Sequence, residues 1–132
     1  MATIFTKIVN GEIPCYKVAE TEDCLAFLDI NPLVLGHVLV VPKKEVDYIF
    51  DLDDTTLTAL HLFAKKVALA IEAVVPCTRI GVSVVGLEVP HTHVHLIPMN
   101  SADDLNFTRP KLKPTQEELK EVADRIRKAL TA

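Results

Sequence analysis

Residues Val89-Pro90-His91-Thr92-His93-Val94-His95-Leu96-Ile97-Pro98 hold three of the chain's five histidines, at alternate positions of a largely apolar run. Alternation is the period of an extended strand, in which side chains at i, i+2 and i+4 share a face. A strand over 91–97 puts His91, His93 and His95 on one face and Thr92, Val94 and Leu96 on the other. The second face can enter a core. The first cannot do so cheaply, because each imidazole costs desolvation energy unless it finds a partner or a ligand. The run therefore asks for a sheet that carries a site.

Period and punctuation place the other elements. Phe5, Ile8, Val9 and Ile13 read as one or two helical turns before Pro14, with Asn10-Gly11 as the break. Residues 16–19 and 24–29 read as a strand pair about the polar turn 20–23, closed by Asp29. Asn31-Pro32 makes a turn, and Gly36 supplies a positive φ or a close backbone approach. His37–Val41 is a β-branched apolar run stopped by Pro42, hence a central or covered strand. Over 55–75, Leu57, Leu60, Ala64, Val67, Ile71 and Val74 recur at helical spacing, and Pro76 ends the helix. Residues 79–85 give another strand. Residues 99–114 are a polar, proline-containing extended loop. Thr115 and Glu118 form a capping box for a helix over 115–131, with Leu119, Val122, Ile126 and Leu130 on one side. Glu121 with Arg125 and Asp124 with Lys128 are spaced as i,i+4 ion pairs. With no βαβ repeat, this order predicts one α+β domain over 1–132, with a mainly antiparallel sheet of about five strands, one long helix and a C-terminal helix.

Composition bounds the partners. Fourteen basic against eighteen acidic residues leave a net charge of -4, which gives no general attraction to nucleic acid or to anionic membrane. No apolar run is long enough to span a bilayer. The start Met1-Ala2-Thr3-Ile4-Phe5 lacks a basic stretch followed by a long apolar one, so the expected location is cytoplasmic. Cys15, Cys24 and Cys77 are odd in number and lack CxxC spacing, as free thiols would be.

Three chemistries fit the histidine run. Neighbouring alternate histidines lie about 6.6 Å apart along a strand, so two could share a zinc ion, with further ligands from His37 or Asp29, while three would need a bulge or bend. One histidine, His91 above all, could simply be a satisfied core residue. The third is phosphate chemistry: a middle imidazole attacks phosphorus through a free nitrogen while its other nitrogen is held, and a flanking imidazolium donates to the phosphoryl oxygens. No GxSxG and no phosphate loop competes.

The segment His91-Thr92-His93-Val94-His95-Leu96-Ile97 resembles the histidine triad motif. Ile4-Phe5 through Ile13-Pro14, Leu25–Pro32 and Gly36–Lys43 also resemble segments of that family, in family order. The nearest branch is that of the small nucleotide-binding phosphoramidases and dinucleotide hydrolases. The resemblance implies a histidine-triad-like fold and hydrolysis or transfer at the α-phosphate of a nucleoside phosphoramidate, adenylate or dinucleoside polyphosphate. It implies that His93 forms a covalent nucleotidyl intermediate, that His95 holds phosphate oxygen, and that His91 and His37 orient the site. It further implies Asp29 on the ribose, and Ile4, Phe5, Ile8, Phe27 and Ile30 around the base.

The same resemblance implies no cofactor, no catalytic metal, and a homodimer built on the long helix and the strand 79–85. Some bacterial relatives hold a structural zinc where this chain has Thr3, Thr6 and Glu45, which offer no soft ligand set. Two departures stand out. Leu87 stands where better-known relatives often carry a glutamine that helps hold phosphate, and the link from Val84-Val85 to Val89 is short, with Ser83 near the place where relatives often have an asparagine, so the loop is shorter and less polar. Ser83 and the backbone N–H groups near Thr92 and His93 are the expected compensation, with Glu88 near the leaving group. A nucleotide-binding adaptor with little turnover and a metal-dependent hydrolase remain as alternatives. The loop 99–114, with Phe107, Arg109 and Lys111, either crosses toward a partner's substrate or is a solvated arm.

Overall fold

The computed structural model describes residues 2–131. Its elements are α1 (Ile4–Val9), β1 (Lys17–Glu20), β2 (Cys24–Leu28), β3 (Val38–Pro42), α2 (Asp54–Val74), β4 (Arg79–Ser83), β5 (Val94–Met99) and α3 (Gln116–Thr131). Short 3-10 turns lie at Ile49–Asp51 and Ala102–Leu105. The five strands form one antiparallel sheet in the order β1-β2-β3-β5-β4. This is the expected α+β architecture.

The pleat divides the apolar residues between two layers. Cys24, Ala26 and Leu28 of β2, Val38 and Val40 of β3, and Val94 and Leu96 of β5 face α2 and α3. From α2 they meet Leu60, Phe63, Ala64, Val67, Ala70 and Ile71, and from α3 Leu119, Val122, Ala123 and Ile126. The stripe read from the sequence is thus the buried stripe, widened by Phe63 and Ala70. On the other face, Leu25 and Phe27 of β2 and Leu39 and Val41 of β3 pack under Phe5 of α1. This thinner layer leaves part of the sheet for the histidines.

Both long helices start at side-chain caps. Asp53 accepts from the Thr56 amide at α2. At α3, Thr115 and Glu118 exchange side chain-to-backbone bonds of 3.1 and 2.9 Å, the anticipated capping box. The i,i+4 pairs anticipated on α3 give way to other bonds. Arg125 donates to the Val74 carbonyl at 2.7 Å, which ties α3 to the end of α2, and Asp124 pairs with Arg127 one residue closer.

Two boundaries differ in ways that matter for the site. The strand expected over 91–97 starts only at Val94, so His91 and His93 lie outside it. Pro42 explains where the β3–β5 ladder stops: it has no N–H to give, and its carbonyl is taken by the His91 ring. The loop 99–114 is not simply extended. Met99 belongs to β5, and Ala102–Leu105 is a 3-10 turn capped by Ser101.

Candidate active site

The segment 91–93 is a bend held by partners far away in sequence. The Thr92 amide and hydroxyl both bond to the Val46 carbonyl at 2.7 Å, and the His91 amide turns back to Val89 O at 2.8 Å. The bend gathers imidazoles that a straight strand would separate. The ring centroids of His93 and His95 lie 4.9 Å apart, and those of His95 and His37 5.1 Å. His37 enters from the start of β3 because Leu39 is paired with His95 across the sheet. His37, His91, His93 and His95 are all buried.

The hydrogen bonds determine where each ring carries its proton. The Leu33 amide donates to His37 Nδ1 at 3.2 Å, so that nitrogen is an acceptor. The His37 proton is then on Nε2, which donates to His95 Nδ1 at 2.9 Å. His95 in turn keeps its proton on Nε2, as its free donor. His93 donates Nδ1–H to the His91 carbonyl at 2.7 Å, which leaves a lone pair on Nε2. His91 donates Nε2–H to Pro42 O at 2.8 Å and accepts at Nδ1 from the Thr3 hydroxyl at 3.0 Å. The Thr6 hydroxyl donates to Glu45, whose carboxylate also accepts from the Thr3 amide at 2.9 Å. Among the described residues no buried side-chain nitrogen or oxygen lacks a partner, so the free nitrogens of His93 and His95 reach open space.

Burial holds the His37, His91 and His95 rings neutral. It lowers the His37 value to about 3, aided by His95, and the His95 value to about 4, aided by His93. The His91 value is also lowered, again by burial. The flanking imidazolium expected from the sequence is therefore a neutral N–H donor at neutral pH. Asp29 approaches His37 Nε2 at 3.9 Å, but a neutral ring makes this no ion pair. Burial raises the Asp29 value, and the Asn31 amide, bonded at 2.9 Å, opposes the rise.

These groups line a cleft of about 260 Å³ with Val85, Gly86, Leu87, Glu88, Phe107, Thr108 and Lys111. Of the residues singled out in the sequence, Asp29, His37, Leu87, Glu88, His93, His95, Phe107 and Lys111 meet there. His91 stands behind, joined through its carbonyl to His93. Phe5 presents its ring edge-on to His93 at 4.9 Å and to Phe27 at 5.6 Å. Ile8 is half-buried beside them, while Ile4 and Ile30 are exposed, and none of these five lines the cleft. Ser83 is paired with His95 across β4 and β5 but does not line the cleft either. The Thr92 N–H, expected to help hold phosphate, is spent on Val46.

Sequence reasoning did not assign Leu33 or Val46, which act through backbone atoms and leave no side-chain signal. Thr3, Thr6 and Glu45 form a hydroxyl and carboxylate buttress for His91. Among the described residues no group of three or more His, Cys, Asp or Glu side chains is placed to hold a metal ion. The arm 106–112 folds onto its own chain's cleft. Phe107 packs on His95 with centroids 4.7 Å apart, Arg109 donates to Leu33 O at 2.7 Å, and the Leu112 amide donates to Pro32 O at 2.9 Å.

Paired histidines at the junction of β3 and β5 are the arrangement that the resemblance to the histidine triad family implies. The family model for the HIT domain matches residues 10–102, and the chain belongs to that family. It is 38% identical to a HIT-like protein of Borreliella burgdorferi over 93% of this chain and 94% of that one. It is also 38% identical to the adenosine 5'-monophosphoramidase of Schizosaccharomyces pombe, covering 96% of each. Among solved structures, a HIT-like protein of Bartonella henselae superposes with a TM-score of 0.83 at 33% identity, over 96% of this chain and 95% of that one.

Proposed function

We propose that this protein hydrolyses or transfers a nucleotidyl group at the α-phosphate of a nucleoside phosphoramidate, adenylate or dinucleoside polyphosphate, through a nucleotidyl-His93 intermediate. The observation that carries this reading is the directed chain of hydrogen bonds. It leaves His93 Nε2 with a lone pair and His95 Nε2 with a proton, side by side at one cleft. A lone pair attacks phosphorus, and an N–H binds the oxygen on which charge develops. The Schizosaccharomyces relative, an adenosine 5'-monophosphoramidase by name, supports the same class.

In the first step His93 Nε2 forms a bond to phosphorus, the bond from phosphorus to the leaving nitrogen or oxygen breaks, and the leaving group takes up a proton from solvent. Glu88, at the cleft lip, is the group proposed to lie near that leaving atom. As the Nε2–P bond forms, His93 gains positive charge. The His91 carbonyl, already accepting Nδ1–H, stabilises it. Water then attacks phosphorus and gives up a proton to solvent, the P–Nε2 bond breaks to restore neutral His93, and nucleoside monophosphate leaves. Asp29 is the proposed ribose acceptor. The cleft is smaller than the roughly 300–1,000 Å³ of sites that enclose a whole drug-sized ligand. A base would therefore extend past Asp29 onto the exposed Ile30 and Ile4, with Phe5 and Phe27 beneath.

The proposal includes a homodimer. Its motivation is the apolar face left open on the proposed interface elements: Leu62 and Leu69 of α2 and Val82 of the edge strand β4 are all more than half exposed. No helix is long and apolar enough to cross a membrane among the described residues.

The mechanism is tested by rapid quench into alkaline denaturant with a phosphorus-labelled adenosine phosphoramidate. The expected result is an acid-labile adenylyl label on His93 of the wild type, and neither label nor turnover with His93→Ala. Turnover by His93→Ala, or label on another residue, overturns the mechanism. Tight nucleotide binding without turnover in the wild type would instead favour the adaptor. The observation behind that second reading is Leu87, which stands exposed at the cleft and offers no hydrogen-bond donor.

A further inference from the structure

The cleft takes no positive charge from His37 or His95. His37 and His95 are neutral at physiological pH, and their network leaves one N–H donor. Asp29 and Glu88 line the same cleft, so a phosphate entering it meets two carboxyl groups. Leu87 contributes no donor. Like charges brought together in a partly desolvated site oppose binding unless a cation offsets them. Among the described residues that line the cleft, Lys111 is the one cation.

Its placement is built rather than incidental. The arm that carries it is fixed on both sides: the Leu112 amide donates to Pro32 O at 2.9 Å, and Arg109 donates to Leu33 O at 2.7 Å. The same Leu33 supplies the amide that orders His37. One turn therefore sets both the imidazole network and the arm. Arg109 is itself spent, on Asp103, Asp104 and Leu33 O. Lys111 Nζ donates to Phe107 O at 2.6 Å, and an ammonium has three donors, so two remain. The Phe107 whose carbonyl steers the ammonium also packs on the His95 ring.

We propose that Lys111 is the cation that binds the α-phosphate oxygens, and that it sets the preference of this site for a phosphorylated over an unphosphorylated nucleoside. The proposal rests on the nucleotide reading above and adds to it a residue outside the triad motif. The arm is a self-contained part of the site: its ammonium reaches phosphate in the chain that carries it. Lys111 takes the place in the charge balance that a charged histidine would take in a more exposed site.

The test is calorimetric titration of the wild type, Lys111→Met and Lys111→Arg with adenosine monophosphate and with adenosine. Lys111→Met keeps most of the stem and removes the charge, and the side chain is exposed, so the fold is retained. The expected result is monophosphate binding weakened about tenfold in Lys111→Met, as for loss of one charged hydrogen bond, with adenosine binding unchanged. Lys111→Arg should recover most of the loss. Added salt should weaken monophosphate binding by the wild type more than by Lys111→Met. Equal monophosphate affinity in the wild type and Lys111→Met overturns the role of Lys111 and leaves the nucleotide reading standing. Equal weakening toward adenosine also overturns it, as that would mean a packing role. Failure of the wild type to bind adenosine monophosphate or guanosine monophosphate overturns the nucleotide reading and this inference together.

Discussion

Acidification should destabilise this protein well above the range in which carboxylates titrate, because two buried imidazoles are folded in neutral form. His37 has its proton affinity lowered to a value of about 3 and His95 to about 4, both chiefly by burial. An unfolded chain binds protons on the same residues near pH 6.5. Between those limits the unfolded state holds more protons than the folded one, so stability rises with pH. It is complete above about pH 6.5 and is lost progressively as pH falls toward the folded values. At about pH 5.5 each ring should withdraw between about 1 and 2 kcal/mol, or about 3 kcal/mol for the pair. His91, also shifted downward by burial, adds in the same direction, whereas Asp29, shifted upward, opposes it.

Urea unfolding at about pH 7.5 and 5.5 measures the difference. With a slope of about 1–3 kcal/mol per molar, the midpoint should fall by about 1–3 M. The same rings can be followed by NMR, where the Cε1 protons of His37 and His95 should show no titration above about pH 5. The slope should shrink in His37→Gln, which removes one of the two titrating groups. A flat midpoint across this interval, or either ring titrating near pH 6.5 in the folded protein, would refute the neutral network. The hydrogen-bond directions derived from it would then fail as well.

Three other outcomes follow from single features of the fold. Gly36→Ala should cost about 2–4 kcal/mol in urea unfolding, through strain and overpacking together: Gly36 has φ +102, and a Cβ there would stand 3.1 Å from Val75 and 3.2 Å from Pro98. Exhaustive chelation should leave hydrolysis intact, because both ring nitrogens of His37 and of His91 are already hydrogen-bonded; activity lost to EDTA and restored by zinc would favour the metal-dependent alternative. Light scattering at micromolar concentration should give about 29 kDa, twice the 14.6 kDa chain, and a mass near one chain would remove the dimer.

Much of the scaffold was legible because its signals are local. The stripe from Leu57 to Val74 repeats at helical spacing along most of the 21-residue α2, and Asp53 and Pro76 bracket it. Val38–Val41 could be read as a covered strand from its β-branched run alone. The histidine run misled for a physical reason. Alternation implies one extended face only while the backbone stays extended, and nothing within residues 89–98 signals that Val46 O captures Thr92. The capturing group is a carbonyl, present at every residue, so its position depends on how the chain returns. The support of His91 by Thr3, Thr6 and Glu45 spans up to 88 residues and has the same character.

The departure from a regular strand is what makes the site chemically usable. A continuous strand over 91–97 would hold His91 and His93 in the ladder and spread the three rings along one face, about 6.6 Å per step. The bend removes residues 91–93 from the sheet and frees the His91 carbonyl to accept the Nδ1 proton of His93. It also lets the His91 ring take the last carbonyl of β3, the one that no strand partner claims. Meanwhile His95 stays in register opposite Leu39, two residues from His37, and receives the His37 proton. Thus the lone pair on His93 Nε2 is set by a break in the sheet, and the neighbouring N–H by its continuation. Shifting the β3–β5 register by one residue would turn His95 to the helix face and leave the His37 proton without its acceptor. The fold and the protonation pattern are therefore one constraint: the same backbone pairing that buries Val94 and Leu96 against α2 decides which imidazole nitrogen keeps a free lone pair.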